Sequence, residues 1–344
     1  MKDVRILVVF TGGTIGSAPD AGMLRPVGES ARKLLLTHFA DEKQKLFEEH
    51  FQRKISFDTV CPYEILSENL NGNHLERLEA CILEKGVENY EGIIVTTGTD
   101  TLAYSSAAMG YAFANLQIPM VMVSANFPLS DERSNGFSNF EGALLLILSG
   151  EHKGVFCSYD NGNGHFIHYA TRLLPQMNYS HKVESVMSRV YGSVEGMTVR
   201  IEKEALEMDK EEEKGMVRLS CKNLSGKKPA FIRPYPGIVY TVPKDCCGIL
   251  LDTYHSGTLP ALGDDFQNFM KEAKKQNVLV FAAGVPEGLV YETVDRMKEA
   301  GMIVLPAASP AAMYMKLWMA AETGMDLRQA LFCPIGHDLV SAMF

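Results

Sequence analysis

The sequence predicts an α/β protein of two domains: a larger N-terminal one with a mainly parallel sheet flanked by helices, and a smaller C-terminal parallel α/β one. Short apolar runs without period-two alternation recur, separated by helical spacing, which is the pattern of buried parallel strands in βαβ units. A chain of 344 residues suits about two domains at roughly 150 residues each. The strand–helix pattern also stops and resumes around a stretch of different composition. Taken in order, strands are expected at 5–10, 55–60, 92–97, 120–124 and 155–159, with helices at 75–90 and 102–116. After the break, strands are expected at 248–253, 278–282 and 302–305, and helices at 264–275, 289–300 and 311–321. In between, residues 201–214 hold seven acidic residues and three Lys, and 222–228 is rich in Lys, Ser and Gly. The expected division is therefore an N-terminal domain over 1–200, a charged linker over 201–228 and a C-terminal domain over 229–344.

Hydrophobic residues make up 46% and charged residues 22% of the chain, enough for an ordinary packed core. With 33 Lys and Arg against 42 Asp and Glu the formal net charge is −9, which argues against a nucleic-acid or anionic-membrane surface. Seven Cys without a CxxC pair read as reduced thiols of a cytoplasmic protein. The longest apolar run, 143–148, falls far short of the ~20 residues that span a bilayer. The first residues enter a strand at once and leave no room for a signal peptide.

The chemistry is expected in two loops. The first strand runs straight into Thr11-Gly12-Gly13-Thr14-Ile15-Gly16. A parallel strand ending in a Gly-rich turn presents its loop at the carboxyl edge of the sheet, where ligands bind in such folds. A dinucleotide fingerprint is the rival reading. However, Ala18-Pro19-Asp20-Ala21-Gly22 does not continue as a helix, and no acidic residue closes a second strand. The third strand delivers Thr96-Thr97-Gly98-Thr99-Asp100-Thr101 before a patterned helix. Asp100 and Thr101 would serve as helix caps if taken alone. Two hydroxyl-rich Gly loops opening onto one crevice instead supply a nucleophile, a second hydroxyl and a carboxylate.

Thr11-Gly12-Gly13-Thr14-Ile15 followed by Gly98-Thr99-Asp100-Thr101 resembles the paired signature of the bacterial-type L-asparaginases. Glu132-Arg133-Ser134-Asn135-Gly136, with Asn139 and a helix after it, resembles the cytoplasmic (type I) branch, as do Tyr235-Pro236-Gly237 and Ser256-Gly257 in the second domain. The resemblance implies an asparaginase-like two-domain fold and hydrolysis of the L-asparagine side-chain amide by a Thr nucleophile through an acyl-enzyme, without metal or organic cofactor. It assigns Thr14 as nucleophile. Thr99 and Asp100 become members of a second Thr–Asp–Lys group, and Asp100 also suits the substrate ammonium. Ser67 becomes the acceptor of the substrate carboxylate, and Glu68 a further ammonium contact. It further implies a homodimer or homotetramer whose sites are completed near the partner's C-terminal domain.

Several positions depart from the family. The lid, 17–30, has no Tyr, and Met23 or Leu24 falls nearest its place; Thr97 stands for a His, and Thr258 for an Asn. Arg172 aligns with the Lys of the second group, or Lys182 after an indel. An Arg holds a carboxylate but cannot act as a base. His165 and His168 are alternative proton acceptors, against the plain reading of loop histidines, and His165-x-x-His168 lacks a third zinc ligand. These departures keep rivals open: a relative acting on another amide or ester, an amino-acid-binding protein without turnover, and an amidotransferase subunit.

Overall fold

The structure is a computed structural model that describes residues 2–20, 23–26, 28–150, 152–205, 218–224, 226–288 and 291–340. Its larger sheet has eight strands in the order β10-β9-β8-β7-β6-β5-β1-β4. These are β1 Lys2–Phe10, β4 Arg53–Val60, β5 Gly92–Thr96, β6 Pro119–Val123, β7 Gly154–Asp160, β8 His165–Tyr169, β9 Gly192–Glu195 and β10 Thr198–Ile201. The strands β4, β1, β5, β6 and β7 pair in parallel, and β8 to β10 extend the sheet antiparallel. Every residue of β5 and β6 is buried, as the unalternated apolar runs require.

Helices α1 Glu29–Glu42, α2 Gln44–Phe51 and α5 Gly136–Ser149 cover one face around Phe39, Phe47 and Phe140. Helices α3 Gly72–Lys85 and α4 Leu102–Ala112 cover the other. The second sheet is four parallel strands, β11 Ala230–Ile232, β12 Ile249–Leu251, β13 Val280–Ala282 and β14 Ile303–Val304. With it go α6 Asp264–Lys275, α7 Glu292–Glu299, α8 Pro310–Thr323 and α9 Leu327–Phe332. Met315, Trp318 and Met319 of α8 share one core with α3 and α4.

The expected strands and helices are present, with differences of physical origin. The helix expected over 75–90 ends at Lys85, where Gly86 takes φ 71° and starts a 3-10 turn, Val87–Asn89. The helix expected over 102–116 stops at Ala112. The lid forms a hairpin, β2 Ser17–Asp20 with β3 Met23–Pro26; like β8 to β11, it is short and carries no long apolar run to announce it. In the expected linker, Leu219, Cys221 and Leu224 are buried. Glu79 of α3 accepts hydrogen bonds from Ser220 Oγ at 2.9 Å and the Cys221 amide at 2.7 Å. The acidic residues 207–213 lie outside the described residues.

Candidate functional site

Three loops meet at the carboxyl edge of the parallel strands. The first follows β1 and the third follows β5, its hydrogen-bonded neighbour. The second, after β4, is stitched to the first by backbone: Gly13 N to Ile65 O at 2.8 Å and Ile65 N to Thr11 O at 3.2 Å. Glycine is required twice here. Gly12 has φ 95° and Gly13 φ 77°, a region costly for residues with a Cβ. A Cβ on Gly12 would collide with the Ile65 carbonyl, and one on Gly13 with the Cα of Gly98. Gly98 in turn packs on the Ser67 side chain. Thr14 and Thr99 directly follow the two touching glycines, so the contact brings the two expected hydroxyl residues to one place.

Thr14 opens a 3-10 turn, Thr14–Gly16, and is half-buried, as is Thr99; Asp100 and Glu68 are exposed and Ser67 is buried. Ser67 Oγ donates to Asp100 Oδ2 at 3.2 Å. Thr101 is the N-cap of α4, but its hydroxyl makes no cap bond and donates to the Ser67 carbonyl at 3.1 Å. Its side chain thus ties loops together and caps nothing. Ser17 Oγ closes the first loop on Gly13 O at 2.7 Å.

Beneath the loops lie Thr11, the other hydroxyl of the first loop and with Thr14 a candidate for nucleophile chemistry or oxyanion binding, and Tyr63, which the sequence does not single out. Thr11, buried, donates from Oγ1 to Thr96 O at 2.7 Å. Tyr63 is buried; burial pushes its hydroxyl well above the ordinary phenol range, while the facing Thr11 hydroxyl opposes the rise. Tyr63 precedes Ser67 at a spacing that matches no motif, so only the fold reveals it.

Arg172 is not brought to this edge, which corrects the expectation that it partners Asp100. It is buried at 2% exposure in a 3-10 turn, Ala170–Arg172, that follows β8, the strand running back from the site. Its Nε donates to His337 O at 2.6 Å and its guanidinium lies over the Tyr169 ring. Neighbouring Thr171 packs on Gly110, eight residues beyond Leu102 and so about 12 Å along α4. Among the described residues none of the ion pairs involves Asp100.

Lys182 is exposed, and Val183 beside it is pinned to Asn161 in the β7–β8 turn. His165 and His168 lie on β8, four strand spacings or about 19 Å from β1. His165 Nε2 bonds Ser158 Oγ at 2.8 Å and His168 Nδ1 bonds Ser185 Oγ at 2.7 Å. Burial, aided by His165, pushes His168 down to about 3. That distance removes both histidines as direct proton acceptors for Thr14. Among the described residues no group of three or more His, Cys, Asp or Glu is placed to hold a metal ion, and no helix is long and apolar enough to cross a membrane.

The sequence model of the family Asparaginase, N-terminal matches residues 5–209. An L-asparaginase from Thermococcus kodakarensis is 26% identical over 348 residues, covering 95% of each chain. A 60 kDa lysophospholipase from Mus musculus is 25% identical over 359 residues and 94% of this chain, which spans 60% of that protein's length. The solved structure of a thermostable L-asparaginase from Thermococcus kodakarensis superposes with a TM-score of 0.76 at 22% identity, covering 98% of this chain and 100% of the other. This last likeness establishes the shared fold.

Proposed function

The chain belongs to the asparaginase family, and from that premise we propose that it is an amidohydrolase cleaving the side-chain amide of L-asparagine to L-aspartate and ammonia. The observation that carries this reading is the Gly13–Gly98–Ser67 contact, which gathers Thr14, Thr99 and Asp100 around one point. Thr14 Oγ attacks the amide carbon, ammonia departs, and water then splits the ester between Thr14 and the aspartyl group. The N-terminus of α4 and the Gly-rich loop amides favour the negative charge that develops on the amide oxygen. Thr99 and Asp100 supply the second hydroxyl and the carboxylate that orders the site. Asp100 and Glu68 receive the substrate ammonium, and Ser67 receives its carboxylate.

Asp100 and Glu68 are exposed in the single chain. In our reading a second copy covers them, giving a cytoplasmic homodimer or homotetramer. Met23, 63% exposed on the lid hairpin, supports a second reading in which the amide or ester carries an apolar group. Both readings are tested by giving the purified full chain L-asparagine, L-glutamine, apolar acyl amides and apolar acyl esters, and measuring ammonia release from the amides and free acid from the esters with and without Thr14→Ala. Turnover of L-asparagine lost in the variant is the expected result. Saturable binding of L-asparagine without ammonia release contradicts it.

A further inference from the structure

The far end of α4 carries a buried charged clamp that the chemistry above does not use. Asp338 is fully buried, as are Lys316 and Tyr111. Asp338 Oδ2 accepts from Lys316 Nζ at 2.7 Å and from Tyr111 Oη at 3.0 Å, and Oδ1 accepts from the Ile335 amide at 3.0 Å. Lys316 Nζ also donates to Cys333 O. Burial, reinforced by Asp338, holds the Tyr111 hydroxyl protonated and so keeps it a donor. The segment around Asp338 is gripped along its length. Thr171 Oγ1 donates to Gly336 O at 2.6 Å, Arg172 Nε to His337 O at 2.6 Å and Val340 N to Ala307 O at 2.8 Å.

Tyr111 belongs to α4, whose other end carries Thr99 and Asp100. Leu102 N bonds Thr99 O, and Tyr104 and Ser105 N bond Thr101 O, so the site loop is continuous with the first turn of the helix. The α4 sequence LAYSSAAMGYA is mostly small residues. Gly110 meets Thr171, and the Gly110 carbonyl lies close to Gly336. With so few large side chains the helix is buried along its length and lets its neighbours approach closely, so a shift at its far end has little side-chain slack to absorb it. The hydrogen bond from Tyr111 fixes that end in one direction.

We propose that Asp338 is a positioning residue for the catalytic edge, acting through the Tyr111 hydroxyl to set where α4 holds Thr99 and Asp100. The inference rests on the functional reading above only for its effect on rate; the positional claim concerns the helix itself.

The test uses the full chain. Tyr111→Phe removes the hydroxyl and keeps the ring, while Lys316→Met with Asp338→Leu removes both charges together and keeps packing. Melting temperature identifies folded variants. Hydrogen exchange then follows the Leu102, Tyr104 and Ser105 amides, with β5 and β6 amides as internal reference, and kcat and KM are measured per folded molecule. In both variants those three amides exchange faster than wild type while the reference amides do not, and kcat falls about tenfold, the scale expected when reacting groups are misplaced by a fraction of an ångström. Wild-type exchange at the first turn in the folded variants overturns the proposal, as does an unchanged kcat per folded molecule. If wild type itself releases no ammonia from any amide, the functional reading fails, and the exchange result alone decides the clamp.

Discussion

The two ends of α4 are built on opposite principles. At its N-terminus, half-buried and exposed side chains sit on loops held by backbone hydrogen bonds and by glycines that leave no room for a Cβ. At its C-terminus a lysine, a carboxylate and a tyrosine are removed entirely from water and bonded to one another. The first end leaves Thr14 and Thr99 half-buried and Asp100 exposed. The second is closed, and its charges tolerate burial only because each has a partner. One helix thus joins a region that must bind to a region that must hold.

Changes at the two ends of α4 separate stability from rate. Lys316→Ala should cost the most stability, about 3–5 kcal/mol, because it leaves the Asp338 carboxylate buried without its ion-pair partner. Denaturant unfolding measures it, and the paired Lys316→Met with Asp338→Leu should recover most of the loss. Gly13→Ala should act the other way round. Its left-handed backbone and contact with Gly98 predict a cost of about 1–3 kcal/mol, with a proportionally greater loss of ammonia release as the Thr14 and Thr99 loops separate. A Gly13→Ala enzyme with wild-type kcat would show that this contact does not set the geometry.

A separate effect concerns pH. His168 has a folded value of about 3 against about 6.5 in an unfolded chain. Between these values the unfolded state binds the extra proton, so the stability due to neutral His168 is present above about pH 6.5 and is lost as pH falls toward 3. The expected slope is at most about 1.4 kcal/mol per pH unit, and His168→Gln should flatten it in urea titrations between pH 6 and 4. Smaller still, Asn71→Ala removes the capping box of α3 and should cost about 1 kcal/mol, read as a shift in the urea midpoint.

The site end was the more legible of the two. Thr11 to Gly16 and Thr97 to Thr101 each sit in a contiguous run after an apolar strand, so a reader needs only local pattern to find them. Parallel strands without alternation announced β1, β5, β6 and β7 for the same reason. The clamp was not legible, because Tyr111 and Asp338 are 227 positions apart and neither belongs to a motif. Arg172 shows the cost of alignment without topology. It aligns with a Lys expected beside Asp100, yet the antiparallel β8 carries the chain away from the carboxyl edge before reaching it. The sequence pattern places His165 and His168 in a loop, but β8 takes both into the sheet. Tyr63 escaped because nothing local distinguishes a tyrosine under a loop from one in an ordinary core.

In the proposed reaction Thr14, at the meeting point of the three loops, forms the covalent bond to substrate. Turnover of L-asparagine quenched in acid, followed by peptide mapping by mass spectrometry, tests it directly. An aspartyl ester is expected on the peptide carrying Thr14, absent in Thr14→Ala together with ammonia release. An adduct on another residue, or undiminished ammonia release from Thr14→Ala, would contradict it.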